Sequence, residues 1–427
     1  MKLQINTFFI ILASLGLLAA SCTSIVDPAY DGEMQSQEHK SNIRTVEEAI
    51  GIAEKSLMKF GIETKSGIPS RTINRRNIQV LYNTTTKSQS HEDTLMYVVN
   101  FNENQGFALI SANRRYPELL ILTESGNFDG TKTESTAFNM YFQNILKELS
   151  QEKSTSSTMS NDYDEMVFNR VDTTTSVTIS GETLVGAWHK YAPYSNYCTT
   201  SANINTNAGS GPVLLAKILA SFEYPTFIPL TFASSPTSSL FLNWGQMSDQ
   251  DAALLIRELG ELSSTNYNSP NVSTTLVGLQ SCLQSLGYEC TYVQDLDNDI
   301  LIEQINSDSK ILVYFRDDQK TGGDSDIPDD EIVIQDGRKT ELIKYKYYQR
   351  RQSETIWKIV GWEEIEHNYV HYTCAFPNGE YSGYYLRKSI RKRGEGGRFA
   401  EPTDIYIEFD LDDVNAPALI NIKPLHM

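Results

Sequence analysis

The stretch Asn207-Ala208-Gly209-Ser210-Gly211-Pro212-Val213-Leu214-Leu215-Ala216-Lys217-Ile218-Leu219-Ala220, running on to Tyr224-Pro225, decides how this chain is read. A small, turn-forming Gly-Ser-Gly-Pro leads directly into an apolar helix. Such a junction presents one small polar side chain at a helix N-terminus, where free N–H groups and the helix dipole favour negative charge. A thiol placed there is acidified. The residue that stands there is Ser210.

Around this stretch lie 427 residues, room for two or three domains. The 40% apolar content is enough for real cores, and 23 Tyr against 4 Trp leans towards β-rich structure. A formal charge of −18 argues against nucleic acid as the main partner, because a duplex binder needs a basic footprint. Five cysteines are too few for a disulfide scaffold of this size. Cys198, Cys282, Cys290 and Cys374 leave three pairings open.

The N-terminus reads as an address over residues 1–21. Lys2 is a weak positive region, and Phe8 to Ala20 is an apolar run of ~13 residues, short of the ~20 that span a bilayer. Leu18-Ala19-Ala20-Ser21-Cys22 resembles a bacterial lipoprotein box, with Cys22 as the lipidated residue. That implies export and a lipid anchor in the bacterial cell envelope, at the outer membrane; the alternative is an ordinary cleaved signal peptide and a secreted protein. Residues 22–43 then read as a tether.

A first folded segment, 44–150, opens on Thr45 with Glu48 three residues on, a capping box. Val46, Ala49, Ile50, Ala53, Leu57 and Phe60 repeat at helical spacing and Gly61 ends the helix. Residues 65–76 read as loop. Ile78–Tyr82, Thr94–Phe101, Phe107–Ala112 and Leu119–Thr123 read as strands, and Phe138–Leu149 as a closing helix. Residues 151–181 are rich in Ser, Thr and Asp without hydrophobic periodicity and read as a linker.

The phrases of 44–150 resemble, in order, the pro-domain of the streptopain family of bacterial cysteine peptidases. They are Glu47-Glu48-Ala49-Ile50-Gly51-Ile52-Ala53, Tyr97-Val98-Val99-Asn100-Phe101, and Gly106-Phe107-Ala108-Leu109-Ile110-Ser111-Ala112-Asn113-Arg114-Arg115 with Pro117 and Leu119. Residues 182–427 resemble the peptidase domain that follows it. The entry motif is similar to Trp188-His189-Lys190-Tyr191-Ala192-Pro193-Tyr194-Ser195-Asn196-Tyr197-Cys198. Further matches are Trp244-Gly245-Gln246-Met247, Ile356-Trp357-Lys358-Ile359-Val360-Gly361-Trp362, Tyr369-Val370-His371-Tyr372, Asn378-Gly379 with Tyr381-Ser382-Gly383-Tyr384-Tyr385, and Asn421-Ile422-Lys423-Pro424. The resemblance implies an α+β fold: a papain-like cysteine peptidase domain preceded by a small α+β pro-domain with an antiparallel sheet.

A papain-like peptidase needs a Cys nucleophile on a helix N-terminus, a His base, a group that orients the His, and an oxyanion donor. Carried over residue by residue, the nucleophile position is Ser210. The His position, six residues before the Gly of a strand's terminal turn, falls on Thr355 when that Gly is Gly361. The oxyanion Gln position holds Lys190. The orienting Asn position, two residues after His371, holds Thr373, and the shielding Trp position holds Cys374. All five are substituted. Trp188, Gly209, Gly211, Trp357 and His371 are expected to line the cleft.

A serine without a base is nearly inert, and losing one member of such a unit lowers rates by orders of magnitude. The expectation is therefore a catalytically inactive homologue that binds a peptide or protein without hydrolysis, its partner a peptidase or a peptidase's inhibitor among others. One alternative is an active peptidase using Ser210 or Cys374 with a relocated base, His371 or His367. Another is an inhibitor that acts through its pro-domain. No cofactor or metal is expected: Asp324, Asp326, Asp329, Asp330 and Glu331 lack the spacing of a calcium loop and read as an acidic surface insertion. Lys344-Tyr345-Lys346 with Arg350-Arg351, and Arg387-Lys388 with Arg391-Lys392-Arg393, form two basic stretches suited to an acidic partner or to solvated strand edges.

Overall fold

The computed structural model describes residues 42–60, 71–82, 93–131, 133–150, 167–180, 187–232, 235–269, 272–296, 310–315, 331–351, 355–395, 404–410 and 416–425. The apolar leader, Cys22, the tether up to residue 41 and the acidic run 324–330 lie outside these residues; Ile43, at the end of the expected tether, is buried and bridges to Asn113.

The first helix, α1 (Val46–Phe60), starts where the capping box placed it. Thr45 Oγ1 accepts the Glu48 N–H at 3.2 Å, and Glu48 Oε2 accepts the Thr45 N–H at 2.9 Å. Four antiparallel strands follow: β1 (Ile73–Tyr82), β2 (Thr94–Phe101), β3 (Phe107–Ser111) and β4 (Leu119–Thr123). Strand β1 begins inside the region read as loop. Strands β3 and β4 are buried at every position, so helices and neighbouring chain cover both faces. Helix α2 (Thr136–Ser150) closes the segment.

The expected linker holds a strand. Val167–Ser180 forms β5, which pairs with the later strand β10 (Glu331–Arg351). Its Thr173-Thr174-Thr175 run is β-branched and so suits extended backbone. It lacks hydrophobic alternation because none of residues 170–178 is buried. Residues 151–166 lie outside the described residues.

The remaining elements are α3 (Ser210–Ser221), β6 (Phe227–Pro229), β7 (Ser239–Phe241), α4 (Asp249–Leu262), α5 (Leu276–Ser285), β8 (Tyr288–Val293), β9 (Lys310–Phe315), β11 (Lys358–Thr373), β12 (Gly383–Glu395), β13 (Asp404–Asp410) and β14 (Ala418–Pro424). The fold is mixed α+β around one large sheet, in the order β1-β2-β3-β4-β12-β11-β10-β9-β14-β8, with β13 on β12 and β5 on β10. The join between the two segments is β4 against β12, with Thr123 opposite Gly383, Leu122 opposite Tyr384 and Ile121 opposite Tyr385. Gly383 has φ 155°, and a Cβ there would stand 2.4 Å from the Leu122 carbonyl oxygen. Only a glycine lets β4 approach this closely.

Two cores lie along the sheet. One gathers α3, α4 and α5. Helix α3 is apolar all round because it is buried all round: Val213, Leu214, Leu215, Ala216, Ile218 and Leu219 expose no surface. The other core combines α1, α2 and the N-terminal strands with Val333, Tyr369, Val370, Tyr384 and Tyr385. It therefore crosses the boundary drawn at 150, and the N-terminal segment and the sheet behind it share one interior. Cys198, Cys282, Cys290 and Cys374 are buried and unpaired, so none of the three pairings forms.

Candidate functional site

Ser210 opens α3. The turn ahead of it is set by Gly209 at φ 77°, whose N–H is held by Asn207 Oδ1 at 2.9 Å. Gly209 and Gly211 are both buried, against Val272 and against Thr274 and Leu279. The helix start thus packs tightly and leaves Ser210 half-buried.

What meets Ser210 is the start of β10. The Ile332 N–H donates to Ser210 Oγ at 3.2 Å. The residue before it is Glu331, which is six positions ahead of Gly337. That is the spacing of the His position, met on a different strand from the one the sequence suggested. Thr355 lies instead in the turn between β10 and β11, exposed. An extended strand of 21 residues covers roughly 60–70 Å, so Thr355 and Trp357 stand at the opposite end of β10 from Ser210. Trp357 packs under the Arg350 guanidinium, 5.1 Å from its ring, and does not line a cleft beside Ser210. Glu331 itself is no surface acid: it is 4% exposed.

Glu331 is held from the N-terminal segment. Its Oε2 accepts the Ser135 hydroxyl at 2.8 Å and the Ala137 N–H at 3.0 Å. Burial raises the carboxyl pKa, and these donors together with nearby Lys190 oppose the rise. Next to it, the Tyr191 hydroxyl donates to Glu134 at 3.1 Å. Residues 134–137 therefore meet Glu331 and Tyr191, the neighbours in sequence of Ile332 and Lys190.

Lys190 is fixed through its backbone. Its N–H donates to the Ala375 carbonyl at 3.0 Å, and its carbonyl accepts the Ala208 N–H at 2.8 Å. Its ammonium sits 4.0 Å from the centre of the Phe376 ring, a cation–π contact. Trp188 is half-buried against the α3 core. Cys374 is buried, and its thiol is pushed well above its ordinary value by burial, then by Glu331, with Lys217 and Lys190 opposing. Lys217 is buried in the middle of α3 and reaches the Cys374 carbonyl at 3.5 Å.

The histidines are engaged elsewhere. His371 is 1% exposed; its Nδ1 is 2.6 Å from Asp336 Oδ1 and its Nε2 3.2 Å from Glu124 Oε1. Thr373 Oγ1 donates to the other Asp336 oxygen at 2.9 Å. Burial disfavours the imidazolium, but the two carboxylates overcome it and hold the His371 pKa at about 10. His371 is thus a charged joint between the two segments and not part of an open cleft wall. His367 is buried beside Ser389 Oγ at 2.9 Å, and burial lowers its pKa to about 4. His189 Nδ1 accepts the Tyr191 N–H at 3.3 Å. Among the described residues, no imidazole hydrogen-bonds Ser210 or Cys374.

The sequence reading brought Ser210, Lys190, Thr373 and Cys374 to one region and misplaced Thr355 and Trp357. It missed Glu331, Asp336, Lys217 and the two partners from the N-terminal segment, Ser135 and Glu124. The spacing from Glu331 to Gly337, directly ahead of the apolar Ile332-Val333-Ile334, was a usable signal for the first. The basic stretches are answered by carboxylates: Arg391 and Arg393 bind Glu363 at 2.8 and 2.7 Å, and Lys344 binds Glu364 at 2.8 Å. Among the described residues, no group of three or more His, Cys, Asp or Glu is arranged to hold a metal ion.

Residues 41–152 match the family model of the Spi protease inhibitor. Among solved structures, a fragment of Prevotella intermedia prointerpain A is similar at 14% identity and a TM-score of 0.44, over 80% of this chain and 98% of that one. Active interpain A cysteine protease from the same organism is similar at 13% identity and a TM-score of 0.33, over 57% of this chain and 94% of that one. No curated protein matches the chain.

Proposed function

We propose that the chain is a streptopain-like peptidase homologue that has given up hydrolysis and works by binding protein. The observation that carries this reading is the surroundings of Ser210. Its hydroxyl is held by a backbone N–H, and the residue six ahead of Gly337 is a carboxylate instead of an imidazole. Among the described residues Glu331 makes no hydrogen bond to Ser210; its Oε2 is taken by Ser135 and Ala137, and it sits among other charges. Lys190, where the family has a neutral amide donor, adds a cation to the same region. Hydroxyl activation needs a base in hydrogen-bond reach, itself oriented by a third group.

Recombinant protein incubated with casein is expected to give no cleavage above that of Ser210→Ala. A rate for wild type at least tenfold above the variant would sink the reading. A thiol-directed active-site probe is likewise expected to leave Cys374 unlabelled in the folded protein, since its thiol is buried and shifted up.

The same reading takes the protein to the cell envelope through Cys22. Cys22→Ser is expected to move it from the membrane fraction to the soluble fraction on cell fractionation; unchanged membrane association would count against the anchor. The inhibitor alternative is less well supported. The edge of β4 is occupied by β12, and the N-terminus of α2 by Glu331 of the same chain.

A further inference from the structure

Helix α2 begins on a cap assembled from two distant parts of the chain. Ser135 accepts the Phe138 N–H at 3.1 Å, the ordinary role of an N-cap serine. The acidic partner of a capping box normally comes from the helix's own third residue. Here it is Glu331, from the first position of β10, taking both the Ser135 hydroxyl and the Ala137 N–H. An anion at this end of a helix also meets the favourable end of its dipole. The other carboxylate oxygen, Oε1, is buried without a hydrogen-bond partner among the described residues. The group is therefore enclosed by α2 and its surroundings, and it does not face water.

The contacts around this cap point the same way. The Glu124 N–H donates to the Ser382 carbonyl at 2.9 Å and the Ser125 hydroxyl to the Asn378 carbonyl at 2.6 Å. The Tyr369 hydroxyl donates to the Leu119 carbonyl at 3.2 Å, the Tyr141 hydroxyl to the Leu386 carbonyl, and the Lys339 ammonium to the Phe60 carbonyl. Strand pairing and a common core complete the joint.

We propose that Glu331 is a binding site for the N-terminus of α2, and that it makes residues 42–150 a permanent part of the molecule. Cutting the chain within 151–166 leaves the two pieces bound. The joint holds whether or not Ser210 has any hydrolytic activity. Cutting removes only the effective concentration that covalent connection supplies; the strand pairing, the shared core and the cap remain.

The test places a specific protease site between residues 155 and 160 of the full chain and cuts it. Gel filtration of the cut wild type is expected to show one peak at the mass of the intact protein, with Ala137 and Phe138 amides still protected from hydrogen exchange. Two separate peaks would overturn the proposal. Glu331→Ala removes two charge-assisted hydrogen bonds. In the cut protein it is expected to weaken the association of the pieces by roughly tenfold to a hundredfold. Glu331→Gln, which keeps an acceptor of the same shape, is expected to lose much less. If the alanine variant does not fold, hydrogen exchange on the glutamine variant decides. Faster exchange at Ala137 than in wild type, with distant amides unchanged, supports the site. Identical exchange there, or equal release of pieces from wild type and Glu331→Ala, overturns it.

Discussion

Asp336→Ala is expected to lower the unfolding free energy by about 3–5 kcal/mol, the cost of leaving one member of a buried ion pair without its partner. Asp336 has a fully buried side chain and accepts from both His371 and Thr373. Without it the imidazole keeps only Glu124, whose side chain is 34% exposed and therefore partly screened. Asp336→Asn keeps one acceptor oxygen, enough for His371 or Thr373 but not both, and is expected to lose less than the alanine variant. The pH dependence is a second readout. The folded His371 pKa of about 10 lies above its ordinary 6.5. Its stabilising contribution is therefore complete below pH 6.5 and lost as the pH rises to about 10. Wild-type stability in urea is expected to fall across that window, and the alanine variant to show a flatter profile. A loss under 1 kcal/mol together with parallel pH profiles would mean that the charge pair does not hold the joint.

Phe138→Ala is expected to cost about 3–5 kcal/mol by denaturant unfolding, the range for emptying a buried aromatic site. Phe138 is 1% exposed, in the first turn of α2. Its ring lies 4.9 Å from Phe128, 5.6 Å from Phe107 and 6.0 Å from Phe142, all in the N-terminal segment. It also lies 5.3 Å from Tyr381 and 6.5 Å from Tyr385, which belong to the other segment. The cavity would therefore open on the seam itself, one residue past the Ala137 amide that Glu331 holds. Phe138→Leu fills most of the volume and is expected to lose about half as much. If the alanine variant unfolds at the wild-type midpoint, the aromatic cluster is not part of the cooperative core.

Much of the fold was legible because it is local. The Thr45–Glu48 box, the periodicity of α1 and α2, and the strands β2, β3 and β4 each follow from neighbours in sequence. The apolar run after Gly211 announced α3 without ambiguity. The site was legible only in part. Ser210 is marked by the turn that carries it, and Thr373 and Cys374 by their distance from His371. Thr355 was misassigned because two glycines, Gly337 and Gly361, both satisfy a six-residue offset, and spacing along a chain does not say which strand faces α3. The Thr-rich β5 escaped because a strand with no buried residue over 170–178 carries no hydrophobic period.

The sequence by itself carried the likeness of its first folded segment to the Spi protease inhibitor and placed a serine at the head of a buried, apolar helix. It also put Ser210 and Lys190 at the positions where the resemblance implies a cysteine and an amide, since residue identity needs no fold to be read. The tertiary structure alone decided what faces Ser210 and how the two segments meet. Glu331 meets Ala137 of α2 across 194 positions of chain, and His371 meets Glu124 across 247. Buried charges choose partners by distance and by shared exclusion of water, and neither is written in the order of the residues.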